Sequence, residues 1–588
     1  MARVRCRARH APGLLEATVA GVVAIAVAAT AATGASAQGQ RGPKFSEPKA
    51  FDVSKPLREL AKTAKPPKRI SLRPELGPRV TDRGHSRDGA VQDVAAPPTI
   101  GAPLTSFEGL SNQDNFNAFG ARVNPPDPVG DVGPSHYVEM VNLVFGVYDK
   151  QGNRLLGPTP LGALWDDFAI EDCTDLSGDP IVLYDQTEDR WILSQFTTRG
   201  LDPETPTAPF YNCVAVSKTG DPTGEYFRYA YITQADPDGG FFFPDYPKYG
   251  VWSNSYLLTS RDFGTEDGYG ISVYALEKRR MIAGSPAARA VQFFLDSEVV
   301  DISLIGDGLL PADLDGQRRP QPTDAAAPIV GTQDDGGPYG AASDALNVWE
   351  LTVRWRSDPS ASLELAAQLP VAEFDSIFPC GVVPSTTPGT PATSRDCLPQ
   401  PGITDGSRFL DILSYRQRPT WRLAYRNFGT HEAMVTNQSV EARPGVAGAR
   451  WYELRRTNGV YSVHQQGTYA PDDGVHRWMG SAAMDRRGGV GLGYSVVNGT
   501  NVFPGIRYTG RLSSDPLGEM TLGEGSIIEG TGVQTTTNSR WGDYTSLNVD
   551  PTDDCTFWYV NEYYTAAGQA SSPAGWQTRI ASFRLPGC

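Results

Sequence analysis

From about residue 105 to the C-terminus, short β-branched and aromatic runs recur between Gly, Pro, Asn and Asp, and amphipathic helical periodicity is almost absent. This pattern predicts an all-β domain. A long chain of short strands forms a propeller, a β-helix or several sandwiches, so internal repeats must arbitrate. Related units begin at Asp127 (DPVGDVGPSHYVEMVN), Gly178 (GDPIVLYDQTEDRWILSQF), Asp245 (DYPKYGVWSNSYLLTS), Arg477 (RWMGSAAMDRRGGVGLGYSV) and Arg540 (RWGDYTSLNVDPTDDCTFWYVNEYY). Each has a small or acidic start, an apolar strand, a polar turn and a second strand. Degenerate copies span 310–353 and 421–456. The units predict a β-propeller over 105–588, with seven blades of four-stranded antiparallel sheet; six or eight stay open because the middle of the chain is irregular. Trp191 and Trp451 fall mid-strand and are expected in the core.

The chain before this domain reads differently. Residues 1–9 carry arginines and no acid, 17–32 are apolar or small, and Ala35-Ser36-Ala37 follows. This is the pattern of a signal peptide over 1–37, the alternative being a retained membrane anchor. Residues 38–104 are rich in Pro, Lys and Arg and poor in aromatic residues, which predicts a disordered linker or pro-segment with one short helix near 56–62.

Composition then narrows the class. Six cysteines follow the leader: Cys173, Cys213, Cys380, Cys397, Cys555 and Cys588. None has zinc-ligand or Cys-x-x-Cys spacing, so disulfides are expected, paired as neighbours in order, in a secreted or periplasmic protein. A net charge of −15 argues against nucleic acid or an anionic membrane as partner. We expect a monomer that meets an extracellular glycan or a cell-envelope component.

In a propeller the innermost strands line a central channel. Aligning the units puts Asp127, Asp179, Asp245 and Asp543 at equivalent positions where those strands begin. His431, Glu432, Asp313 and Asp315 are expected in the same zone. A ring of carboxylates at one mouth suits a hard cation, with Ca²⁺ the natural candidate outside the cell. The competing reading is that these aspartates merely cap turns. Aromatic faces pack on sugar rings and Arg bridges carboxylates, so Tyr246, His476, Arg477, Arg540, Trp541 and Tyr544 are candidates for glycan binding. Hydrolysis would need two facing carboxylates, for which Asp179, Asp245 and Asp543 are candidates and Glu562 another, farther from the axis. No Gly-x-Ser-x-Gly, His-Glu-x-x-His or P-loop pattern occurs.

The strings DPVGDVGPSHYVEMVN, GDPIVLYDQTEDRW, FPDYPKYGVW, HRWMGSAAMD and RWGDYTSLNVDPTDDCTFWYVNEY resemble a group of large secreted bacterial proteins predicted to be β-propellers. The resemblance runs from Val123 to the C-terminus; it implies fold and export and brings no catalytic residues. Sialidase-like propellers are a weaker comparison, because no Ser-x-Asp-x-Gly-x-x-Trp box is present. The leading expectation is a glycan-binding propeller. A glycan-degrading enzyme on the same face and a structural or adhesive module are the alternatives.

Overall fold

The computed structural model describes residues 42–588 apart from 66, 68, 71–84, 203, 207, 234–241, 265–267, 379–381, 384–391, 394–395 and 413–416. The expected leader over 1–37 lies outside the described residues.

Seven antiparallel blades follow one another along the chain. Their innermost strands are Val129–Val132, Ile181–Asp185, Phe242–Val251, Leu310–Asp315, Thr420–Asn427, His476–Met484 and Ser546–Val549. Each lies beside the next, and the seventh lies beside the first, so the ring closes around a central channel. Blades 4 and 5 are joined further, because residues 312–315 pair in parallel with 423–426. All seven units read from the sequence correspond to blades.

Blade packs face to face on blade, so the inner strands lose the polar alternation of a half-exposed sheet. Ile181–Asp185 and Leu310–Asp315 are buried throughout, whereas the outermost strand of blade 4, Ser360–Pro370, is largely exposed. Trp191 and Trp451 are fully buried, as their mid-strand positions predict. Blade 7 is assembled from both ends of the domain: Thr105–Ser111 forms its outer strand, with Phe107 opposite Ile580 and Ser106 opposite Ala581.

The described parts of 38–104 correct the expectation of a disordered linker. Lys44–Ser46 extends the outer edge of blade 3, Ala50–Val53 that of blade 2 and Val91–Gln92 that of blade 5. A helix over Leu57–Leu60 and a 3₁₀ turn over Ala61–Thr63 follow the second of these strands. Phe51 packs on Tyr229 with ring centroids 5.0 Å apart, and Asp52 accepts both hydrogen bonds of an Arg228 fork at 2.7 and 2.6 Å. Two to four residues suffice for such strands because the blade supplies the partner and the segment covers an otherwise open sheet edge. A composition reading averages over too long a window to see them.

Disulfides join Cys173 to Cys213 and Cys555 to Cys588, as the order of cysteines predicts. Cys380, and with it the third expected pairing, lies outside the described residues. The disulfides fit an oxidising, extracytoplasmic compartment. Among the described residues no helix is long and apolar enough to cross a membrane.

Candidate functional site

The site begins with a backbone feature repeated around the ring. One residue per blade has a positive φ, just before the inner strand at Asp127 (48°), Asp179 (45°), Gly308 (149°), Gln417 (53°) and Gly542 (142°), and at a bulge inside it at Tyr246 (55°) and Met479 (48°). For a residue other than glycine this conformation costs of order 1–3 kcal/mol and persists only where its surroundings enforce it. The repeat also corrects the alignment of the aspartates. Asp127 and Asp179 occupy the equivalent position, while Asp245 precedes it by one residue and Asp543 follows it by one.

All four aspartates nevertheless reach one cluster at this mouth. Asp127 accepts hydrogen bonds from the Asp543 backbone N–H at 2.6 Å and from Asn142 Nδ2 at 2.5 Å. The Asn142 side-chain oxygen in turn accepts the Asp179 N–H at 3.1 Å. Tyr544 Oη donates to Asp179 Oδ2 at 2.9 Å, and Tyr246 Oη donates to the Asp543 carbonyl at 3.1 Å. A turn-capping role therefore does not account for Asp127 and Asp179, whose carboxylates reach from blades 1 and 2 into blade 7. Asp245 binds its neighbour's N–H, at 2.9 Å, as a turn aspartate does.

The centre of the cluster is a residue that the sequence reading missed. Lys248 is buried, with its ammonium 3.0 Å from the Tyr246 ring centroid and 3.4 Å from that of Tyr544. Its Nζ has no hydrogen-bond partner among protein atoms. Beside it, Asp307 bridges Arg261 Nη2 at 2.5 Å and Arg418 Nη1 at 2.7 Å, and Tyr339 Oη donates to the same carboxylate at 2.6 Å. The Arg418 guanidinium lies 4.0 Å from the Tyr246 ring centroid. Lys248 follows Tyr246-Pro247 inside a bulged strand, where its face cannot be read from alternation.

Burial sets the protonation of these groups. Asp127 is pushed up to about 7 by desolvation and then by the Asp543 charge. Asp179 is raised well above the usual carboxylate range by desolvation, with Asp245, Asp127 and Asp543 adding repulsion. Lys248 is held well below its ordinary value by desolvation and by Arg418, against the pull of the aspartates. Glu562 belongs to the cluster from beneath. It is raised well above the ordinary glutamate value by desolvation and by Asp127, and neither carboxylate oxygen has a hydrogen-bond partner among protein atoms. Gly542 separates the two acids: a β-carbon there would meet Glu562 Oε1 at 3.1 Å and Asp127 Oδ1 at 3.4 Å.

Other expected site residues lie elsewhere. Asp313 and Asp315 sit farther along their inner strand, paired with the buried Arg422 at 2.7 Å each, where the channel narrows to a cleft of about 10 Å³. Here Asp131 is pushed up to about 8 by desolvation, despite Arg422. His431 and Glu432 fall in and after the turn leaving the blade 5 inner strand, at its far end; His431 stacks on Phe428 and Glu432 accepts from Tyr425 Oη at 2.7 Å. The degenerate repeat misplaced them because its spacing is displaced by the length of a strand. Arg477 is held within blade 6 by Asp473 and Glu524. His476 accepts the Ala447 N–H at 3.2 Å, and burial lowers it to about 4. Trp541 is core, fully buried against Trp478 and Tyr564. Arg540 pairs with Asp543 at the mouth.

Among the described residues, metal-ligand spacing occurs in two groups, His85 with Asp375 and Glu441, and Asp334 with Asp335 and Asp344. Neither includes an aspartate of the mouth, which encloses Lys248 instead.

No protein-family model matches the chain, and no curated protein matches it. Among solved structures, the phage phi92 endosialidase is similar at 7% identity and TM-score 0.36, over 69% of this chain and 66% of that one. The chain thus spans just under two thirds of the endosialidase's length. A thermostable family-43 glycoside hydrolase is similar at 13% identity and TM-score 0.24, over 70% of this chain and 91% of that one. A mutant of the Cellvibrio cellulosa alpha-L-arabinanase is similar at 10% identity and TM-score 0.24, over 58% of this chain and 95% of that one. At these values the likenesses carry no argument about activity.

Proposed function

We propose that the mouth binds and hydrolyses an extracellular glycan. One observation carries this reading: the Asp179 carboxyl, hydrogen-bonded by Tyr544 and pushed towards its protonated form by burial, stands among further carboxylates at one mouth of the channel. Glycoside hydrolysis needs one carboxylic acid to protonate the leaving oxygen and one carboxylate to act as nucleophile or base. Asp179 suits the acid role, because burial favours its protonated form and it is the one aspartate of the four that solvent partly reaches. Asp543 and Asp245 are the candidates for the second role. Strongly perturbed carboxyls gathered in one place are a recurrent mark of functional sites.

The test is incubation of the full chain with neutral and uronic-acid polysaccharides, with product analysis. Asp179→Asn is expected to cut product formation by about 100-fold or more at an unchanged melting temperature. Saturable binding that Asp179→Asn weakens, without products, would leave a binding protein. The buried bonds that Asp127 makes to Asn142 and Asp543 favour that second reading, since they fix a shape whether or not a bond is cleaved. A change in melting temperature alone would make the cluster structural. Calcium enters the same screen: a stabilising shift reversed by EDTA would support it, and no shift would leave the carboxylates with only their protein partners.

A further inference from the structure

The end of the propeller opposite the carboxylates carries the reverse charge. Between blades 3 and 4 lies a cavity of about 810 Å³, within the size range of small-ligand clefts. Its walls come from segments that follow the first and third strands of each blade. In blade 3 these are the turn at Ser253 and Asn254 and the helix Lys278–Ile282; in blade 4 they are residues 319–324 and 355–357. Inner strands begin at the mouth, so these segments all lie at the far end.

Six basic side chains line the cavity: Lys278, Arg279, Arg280, Arg289, Arg319 and Arg356. Three acids accompany them, leaving a local positive surplus in a chain of net charge −15. Each acid is already engaged. Glu277 takes both hydrogen bonds of the Arg289 fork, at 2.7 and 3.0 Å, Glu188 pairs with Arg319 at 3.0 Å, and Asp324 pairs with Arg354 at 3.2 Å. Arg279 and Arg356 are exposed, and among the described residues neither guanidinium has a hydrogen bond or ion pair. Trp355 adds a half-buried ring, fixed by Nε1 donating to Ser255 Oγ at 3.0 Å, with the Arg289 guanidinium 5.6 Å from its centroid.

Unpaired guanidinium groups recognise carboxylates with two parallel hydrogen bonds, and an indole face packs on the C–H face of a sugar ring. We propose that this groove is a second binding site, separate from the mouth, for an acidic glycan whose carboxylates meet Arg279 and Arg356 and one of whose rings lies on Trp355. The proposal does not depend on hydrolysis at the mouth. It would let one end of the domain hold a polyanion while the other faces a different part of the surroundings.

The probe is polygalacturonate, titrated against the full chain at low and physiological salt, with dextran as the neutral arm and dextran sulfate as the non-carboxylate arm. The expected result is saturable binding to polygalacturonate that falls at least tenfold in the Arg279→Ser/Arg356→Ser variant. Both arginines are exposed and unpaired, so the double variant should keep the wild-type melting temperature. Wild-type affinity in the double variant, or no saturable binding to polygalacturonate, overturns the site. Equal affinity for dextran sulfate overturns the assignment to carboxylates, since any anionic group on a sugar chain would then account for binding.

Discussion

Glu562 is a carboxyl with no protein partner for either oxygen, fully buried beneath Asp127. Its raised folded value has a definite sign in stability. The folded state holds the proton at a pH where the unfolded chain has released it, so stability is fully present below the ordinary glutamate value of 4.5 and is lost as pH rises through the folded one. Glu562→Gln removes that ionisation with little change in shape. The variant is therefore expected to match the wild type near pH 5 and to gain on it steadily towards pH 9. Chemical denaturation at several pH values measures this, and a constant offset between the two proteins would contradict it. At the same scale, the mouth was only half legible in the sequence. Asp127 and Asp179 stood out because each precedes Pro at the head of a repeat. Lys248, Arg261, Arg418 and Asp307 carried no signal, since a buried cation is disclosed only by the carboxylates and rings that folding brings around it.

The blades were legible as elements because their inner strands are buried on both faces and read as unbroken apolar runs. The short edge strands were not, since Lys44–Ser46 and Ala50–Val53 pair with blade residues 174 to 248 positions farther along the chain. Their contribution is measurable. Leu57 is completely buried and Leu60 nearly so in the segment that follows them. Burying such a side chain contributes about 1.5–3 kcal/mol. A chain begun at Thr105 is expected to be less stable than the one begun at Gly42 by about 3 kcal/mol or more, read as a lower denaturant midpoint. Equal midpoints would mean that the segment merely lies on the surface.

For the whole molecule, several buried acids act in one direction. Asp127 and Glu139 are pushed up to about 7, and Asp131 and Asp262 to about 8, each chiefly by desolvation. The unfolded chain releases these protons near the ordinary carboxylate values of 3.8 and 4.5, so the four acids' contribution to folding stability falls as pH rises from about 4.5 through about 8. His476, lowered to about 4 by burial, acts in the opposite direction between about pH 4 and 6.5, where its protonation in the unfolded chain costs stability as pH falls, but it is one group against four. Melting temperatures are therefore expected to fall as pH rises from about 5 to 8.5, and a rise towards pH 8.5 would contradict the buried acids. The ring itself has a consequence in time. Its seventh blade takes its outer strand from Thr105–Ser111 and the other three from Ser546–Val549, Thr556–Tyr564 and Trp576–Arg584. While the chain emerges from the ribosome, the early strand therefore waits without its partner until Trp576–Arg584 has been made. A helper that shields that strand in the interval would act before any blade could close the circle.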